Sequence, residues 1–285
     1  MLALLGNVAQ TPTVRSRPNF DPRSFEDMSP TPTPALPSNG FAVEARAFLD
    51  ALDATDPAAL CACEGWTAHE VVAHLAAAGT EVALNLEAYA GGRPVPATRP
   101  FEEREAPYRG MDDRRLRAEL VGSIERVGSC LDAVLAADPD AVVPWTGRQM
   151  VVASFVTHLA SEFALHRWDL VGDDETSERL LADPNLTEHA VAVLGKALVA
   201  RSVSVAPVGF SAVLAAAGAR DVAVVVDNEG PRLVTSEGAV KPAIIGDRGA
   251  RLLLLWGRRP GDPRRLIAPQ GAAMLATLQS LLAGY

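Results

Sequence analysis

From Phe41 onward the apolar residues recur at helical spacing. Phe41, Ala45, Phe48, Leu49 and Leu52 line one stripe, which Asp56-Pro57 ends. A second helical run lies in GWTAHEVVAHLAAAGTEVALNLEAYAGG. There Thr67 and Glu70 read as a capping box, Val71, Leu75, Val82 and Leu86 carry the packing, and Gly91-Gly92 stops the helix. The Pro-rich, charged stretch from Arg93 to Arg109 reads as a solvated loop, long enough to lie over a site as a lid. A third helix is predicted from about Asp112 to Ala137, with Leu116, Leu120, Ile124, Val127 and Leu131 inward and Asp138-Pro139 as its breaker. Pro144-Trp145-Thr146-Gly147 leads into a further helix from Arg148 to Leu170, and another is predicted near Leu186 to Arg201.

After about Ser202 the texture changes. VGFSAVLAA, DVAVVVDN and RLVTSEG are short β-rich runs punctuated by Gly and Asp-Asn. Ala250 to Trp256 suits helix and strand alike, since a short apolar run does not decide between them. Gly271 to Leu282 reads as a helix with Met274, Leu275, Leu278 and Leu281 on its apolar face. The fold class expected is mainly α plus α+β: an antiparallel four-helix bundle over residues 39–201, then a small α+β domain over 202–285. Residues 1–38 are rich in Pro, Thr and Ser and read as a disordered leader; a partner-binding Pro-rich segment is the alternative.

Composition narrows the function classes. The chain has 285 residues, 48% of them hydrophobic, which is ample for a core. Its formal charge of −9 is spread along the chain, which argues against a nucleic-acid partner. No apolar run reaches the roughly eighteen residues a membrane span needs, and MLALL is too short for a signal peptide. Three cysteines without an export signal suggest a reducing, cytoplasmic setting and no disulfide framework. Cys61-x-Cys63 has the look of a redox pair or metal clip, but lacks a partnering His in its loop and reads as incidental. Oligomeric state is not legible.

The chemistry concentrates in the helix that runs to Leu170. His158, Glu162 and His166 stand at steps of four, on one face, and Asp169 follows three residues after His166. Val156, Leu159, Phe163, Leu165 and Trp168 would bury that helix, and buried ionisable groups are costly unless paired or bound to metal. A hydrogen-bonded polar seam is the alternative. A bundle metal site needs a ligand from a facing helix, and His74, set among Val71, Val72, Leu75 and Ala78, offers one. His69-Glu70-Val71-Val72-Ala73-His74 is not the zinc-protease motif: its histidines are five apart, turned by about 140° from each other.

GWTAHEVVAHLA together with EFALHRWDL resembles the metal-binding bundle of mycothiol-dependent maleylpyruvate isomerases, within the DinB-like superfamily. The matching residues are Trp66, Thr67, His74, Glu162, His166, Arg167, Trp168 and Asp169. The C-terminal part, with LLLLWGR ending at Arg258, resembles the sterol-carrier-like domain that accompanies that bundle. The resemblance covers about residues 39–285. It implies that His74, Glu162 and His166 hold one divalent ion, with zinc the expected metal and other divalent ions compatible with the same donors. Mycothiol would be the thiol cosubstrate and an electrophilic small molecule the substrate, in an isomerase or S-transferase. His158 lies outside the family pattern and about 12 Å along the helix from His166, so it reads as a core-satisfied histidine. Asp169 would orient a ligand imidazole or face the substrate. Arg258 would bind a substrate carboxylate or stabilise the fold beside Trp256. The rival functions are a non-catalytic, metal-containing binding protein for an apolar small molecule and a regulatory bundle with a vestigial site.

Overall fold

The apolar stripe that starts at Phe41 becomes α1 (Ala42–Asp53) in a computed structural model that describes residues 40–194, 206–236 and 240–283. The leader at residues 1–38, the expected helix beyond Leu194 and the domain boundary at 201/202 lie outside the described residues. α2 (Ala68–Ala90) starts at the capping box read from the sequence. The Thr67 hydroxyl accepts from the Glu70 amide at 3.3 Å, and the Glu70 carboxylate accepts from the Thr67 amide at 2.8 Å. Such a cap stabilises a helix start by about 1 kcal/mol.

α2 packs along α4 (Asp113–Ala137), and α1 packs along α5 (Ser154–Val171). These four helices enclose a continuous core that includes Phe48, Val71, Leu86, Leu120, Leu131, Phe155 and Phe163. Every inward residue named for α4 is buried. Gly79 lets α2 approach α4 closely, since a Cβ there would come within 3.0 Å of the Ser123 hydroxyl.

Two expectations are corrected. The stretch from Arg93 to Arg109 is not loop throughout: Phe101–Arg109 forms α3, which packs against α2 and holds Arg104 and Glu105 in the interior. The segment from Arg148 is not helical at its start. Arg148–Val151 is a strand, β2, paired antiparallel with β1 (Val142–Trp145), and the helix begins only at Ser154. Thr146 and Gly147 both have positive φ, at 48° and 81°, as a tight two-residue hairpin turn requires. Val143, Trp145 and Met150 face the core, so a short alternating strand pair mimics the apolar density of a helix.

Beyond α5 come α6 (Glu175–Leu181), absent from the sequence reading, and α7 (Pro184–Leu194). The β-rich runs form β3 (Ser211–Ala216), β4 (Asp221–Asp227) and β5 (Gly230–Ser236). With β6 (Ile244–Gly246) and β7 (Leu266–Ile267) they make a five-stranded sheet in the order β5-β4-β3-β6-β7. Its pairings are antiparallel except for β3 with β6. The ambiguous leucine run is helical, α8 (Arg248–Leu255), capped by Asp247 and buried at Leu252 to Leu255. The closing helix is α9 (Ala272–Leu281). The architecture is therefore a helical bundle followed by a small α+β part, as expected. α8 packs on α6 and α7, which brings the residues after it toward the end of α5. Gly257 makes the turn there. Its φ is +72°, and a Cβ would sit 2.4 Å from the Leu282 carbonyl oxygen. No described helix is long and apolar enough to cross a membrane.

Candidate metal centre

α2 and α5 bring three side chains from the sequence reading to one point. His74 comes from α2, and Glu162 and His166 from one face of α5, each mostly buried. His74 Nε2 lies 3.3 Å from Glu162 Oε2, and His166 Nε2 lies 3.7 Å from the same oxygen. One donor atom from each residue lies within 4.8 Å of the other two. Ligands bound tetrahedrally at 2.0–2.1 Å stand about 3.3 Å apart, so this set needs little adjustment to share one ion.

The far side of each imidazole is also held. His74 Nδ1 donates to Glu105 at 2.7 Å, and His166 Nδ1 donates to Asp169 at 2.9 Å. Both carboxylates are fully buried. A carboxylate on the remote nitrogen fixes the tautomer, leaves the Nε2 lone pair for a cation and raises its basicity. This is the donor chemistry of a divalent metal site.

The charge balance points the same way. Glu105 is paired with Arg109 at 3.0 Å and Asp169 with Arg258 at 2.6 Å. Among the described residues the ion-pair partners of Glu162 are only imidazoles: His74, His166 and, at 4.0 Å, His158. Burial alone would lower the pKa of His74. Its hydrogen bonds to Glu105 and Glu162 outweigh that and raise it to about 9. Burial likewise opposes the charged forms of Glu162 and His166. The neighbouring imidazoles hold Glu162 well below the usual carboxylate range, and the Asp169 hydrogen bond raises His166. The centre is built to carry positive charge, whether as a proton or as a metal ion.

Asp169 is a junction. Its Oδ2 accepts from His166, from the Cys63 thiol at 3.0 Å and from Arg258 Nη2, while Oδ1 accepts from Arg258 Nε at 2.8 Å. Arg258 Nη1 donates to the Trp256 carbonyl at 3.1 Å. The structure thus places Arg258 beside the site, with its fork closed on Asp169. Burial raises the Asp169 carboxyl, but Arg258 and His166 bring it far below its ordinary value.

Cys63 belongs to this cluster, contrary to its reading as incidental. Its sulfur lies 4.0 Å from His166 Nδ1 and 3.4 Å from Arg258 Nη2. The loop that carries it is pinned by Ala62 donating to the Asp169 carbonyl at 2.8 Å and by Trp66 donating to the Cys63 carbonyl at 3.0 Å. A hydrogen bond with Cys61 and burial push the Cys63 thiol upward, so it is the neutral donor. Trp66 stacks on His166 with ring centres 6.4 Å apart, and Phe101 from α3 stacks on Trp66 at 5.8 Å. Those rings and Arg109, which lies over both, cover one side of the centre.

His158 stands apart from the group formed by His74, Glu162 and His166. It meets His189 from α7 at 3.2 Å, and burial lowers both pKa values, that of His189 to about 3. Sequence reasoning missed Glu105, Phe101, Cys63 and His189. The signal for α3 was present in the spacing of Phe101, Glu105 and Tyr108, hidden by Pro107 and the surrounding charge.

Residues 40–171 match the family model described as the mycothiol maleylpyruvate isomerase N-terminal domain. The resemblance read from Trp66, His74 and the EFALHRWDL run is thus borne out over that segment. No curated protein sequence matches the chain. Two solved structures share the fold, one a mycothiol-dependent maleylpyruvate isomerase and the other a histidine-to-alanine mutant so described. They have a TM-score of 0.56, are 16% and 15% identical, and each alignment covers 81% of this chain and 91% of the other.

Proposed function

We propose, on the premise that residues 40–171 form a mycothiol maleylpyruvate isomerase N-terminal domain, that this protein is a metal-dependent enzyme joining the sulfur of mycothiol to an electrophilic small molecule. His74, Glu162 and His166 would hold one divalent cation, with zinc the expected metal. When bound, that cation supplies the Lewis acidity that lets a thiol ionise near neutral pH, and the thiolate is the nucleophilic form.

In an isomerase, a carbon–sulfur bond forms at one end of a conjugated double bond. The former double bond rotates, and the same carbon–sulfur bond then breaks, returning mycothiol and the trans product. In a transferase the bond is kept and a leaving group departs. The chain's residues do the same work in both cases. Glu105 and Asp169 hold the imidazoles in one tautomer, Arg258 holds Asp169, and Trp66 and Phe101 keep water from one side of the centre.

The observation that supports this reading is the convergence of His74, Glu162 and His166, with a buried carboxylate behind each imidazole. The three cysteines are free, which suits a reducing cytoplasm. The test is to measure metal content, then supply mycothiol with maleylpyruvate or a generic alkylating electrophile. Thiol-dependent and metal-dependent turnover is expected. A protein that binds no divalent metal refutes the reading, as does a metallated one inert toward both substrates. In the second case a co-purifying apolar molecule would favour the non-catalytic binding protein.

A further inference from the structure

Cys61 and Cys63 lie in the loop between α1 and α2, and both are free thiols. The chain bends at Ala62 and Cys63. Their Cα atoms therefore stand closer than the roughly 7 Å of two extended residues, a separation that a disulfide can close. The side chains also turn toward each other. The Cys61 thiol donates to the Cys63 carbonyl at 3.6 Å, and a hydrogen bond between the two sulfurs lowers the Cys61 thiol against the burial that raises it.

The two differ in access and in anchoring. Cys61 is half-buried between two exposed neighbours, Leu60 and Ala62. Cys63 is tied to the metal centre, donating to Asp169 at 3.0 Å with Arg258 Nη2 3.4 Å from its sulfur. The residue between them, Ala62, donates to the Asp169 carbonyl. Trp66, whose ring stacks on His166, bonds the backbone of both cysteines: its amide donates to the Cys63 carbonyl, and its carbonyl accepts from the Cys61 amide, each at 3.0 Å. A covalent bond between the sulfurs would therefore be felt at the centre. Cys63, His166 and Asp169 also offer donor atoms within 4.8 Å of one another. Arg258 already supplies the positive charge there, closed on both Asp169 oxygens, which disfavours a second cation. The remaining thiol, Cys130, lies against Glu87, about 28 Å along α2 from its first residue.

We propose that Cys61 and Cys63 are a redox modification site, oxidised by hydrogen peroxide to an intramolecular disulfide that loosens the metal centre. The Cys61 thiolate attacks one peroxide oxygen. A sulfur–oxygen bond forms, the oxygen–oxygen bond breaks, and the departing hydroxide takes up a proton and leaves as water. The Cys63 sulfur then attacks the Cys61 sulfenic acid. The sulfur–sulfur bond forms, the sulfur–oxygen bond breaks, and the hydroxide leaves with the Cys63 thiol proton as a second water. The thiol pair gives up two electrons, and the peroxide takes them. Cys63 thereby loses the hydrogen it gives to Asp169, the residue that holds His166. The thiol chemistry goes beyond the proposed activity and does not rest on it; the effect on the centre rests on the metal reading.

The test treats the full chain as purified with hydrogen peroxide, removes the excess, and counts thiols in denaturant. Titratable thiols are expected to fall from three to one, with a mass lower by two hydrogens, no cross-linked dimer, and full recovery in dithiothreitol. Cys61→Ser should keep both of its thiols, and Cys130→Ser should lose both. Metal affinity is then read by competition with a chelator. It is expected to be about tenfold weaker in the oxidised than in the reduced protein, the worth of a hydrogen bond to a charged group. In Cys61→Ser it should match the reduced wild type before and after peroxide. Three thiols surviving peroxide would overturn the proposal, as would equal thiol loss in Cys61→Ser, a bond between two chains, or an oxidation that dithiothreitol does not reverse. A disulfide that leaves metal affinity unchanged would overturn the loosening of the centre. If neither form binds metal, the proposed activity falls, and the thiol counts still decide the disulfide.

Discussion

Glu105→Gln removes one charge from behind the metal centre with little change in packing. Glu105 is fully buried and accepts from His74 Nδ1 at 2.7 Å and from Arg109 at 3.0 Å. Glutamine keeps an oxygen for the Nδ1–H, so the tautomer is retained, but the charge that raises the basicity of the imidazole is gone. Loss of such a partner lowers metal affinity by about 10–100-fold, or about 1.4–2.7 kcal/mol. A competing proton modulates this. With His74 raised to about 9, roughly one metal-free molecule in a hundred carries a neutral imidazole at pH 7. Wild-type metal affinity should therefore climb by well over tenfold from pH 7 to 9, with a proton released on binding. In Glu105→Gln that proton is held less tightly, so the climb flattens. The deficit is then greatest at pH 9 and shrinks toward pH 7.

The metal-free protein is expected to show the opposite trend. A histidine whose pKa is raised on folding contributes stability fully below its unfolded value near 6.5 and loses it as pH rises through about 9. The shift corresponds to about 3 kcal/mol, so the melting temperature should fall across that window, and fall less in Glu105→Gln. The assay is competition against a chromophoric chelator at pH 7, 8 and 9, with circular dichroism to confirm helicity. A helical Glu105→Gln with wild-type metal affinity at pH 9 would refute the reasoning, as would a wild-type affinity that stays flat from pH 7 to 9.

His166→Ala is expected to abolish metal binding and thiol-dependent turnover while the far-ultraviolet spectrum stays helical; an active, fully metallated variant would remove His166 from the ligand set. Arg258→Ala leaves Asp169 buried without its cation and should lower unfolding stability by about 3–5 kcal/mol, measured by urea denaturation. Arg258→Ala in an Asp169→Asn background should recover part of that loss, and no recovery would mean that the pair is not what Arg258 stabilises. Gly257→Ala meets both a positive φ and the Leu282 carbonyl. It should destabilise by at least about 1 kcal/mol, and a melting temperature equal to the wild type would show that the turn relaxes freely.

Helical periodicity is local, and what depends on it was legible in the chain alone. The cap at Thr67 and Glu70, the inward stripes of α2 and α4, and the placing of Glu162 and His166 on one face of α5 follow from positions three and four apart. The β1–β2 hairpin was misread because a strand pair only four residues long presents apolar residues as densely as a helix turn. The partners of the site lie far apart in sequence. Glu105 meets His74 across 31 residues, Cys63 meets Asp169 across 106, and Arg258 closes on Asp169 across 89. No spacing rule reaches such distances. The chain alone determined that α1, α2, α4, the body of α5 and α9 form, and which faces α2 and α4 bury. Only tertiary packing decided that Glu105 stands behind His74 and that Cys63 and Arg258 close on Asp169, because hydrogen bonds and desolvation act over a few ångströms of space and take no account of separation along the chain.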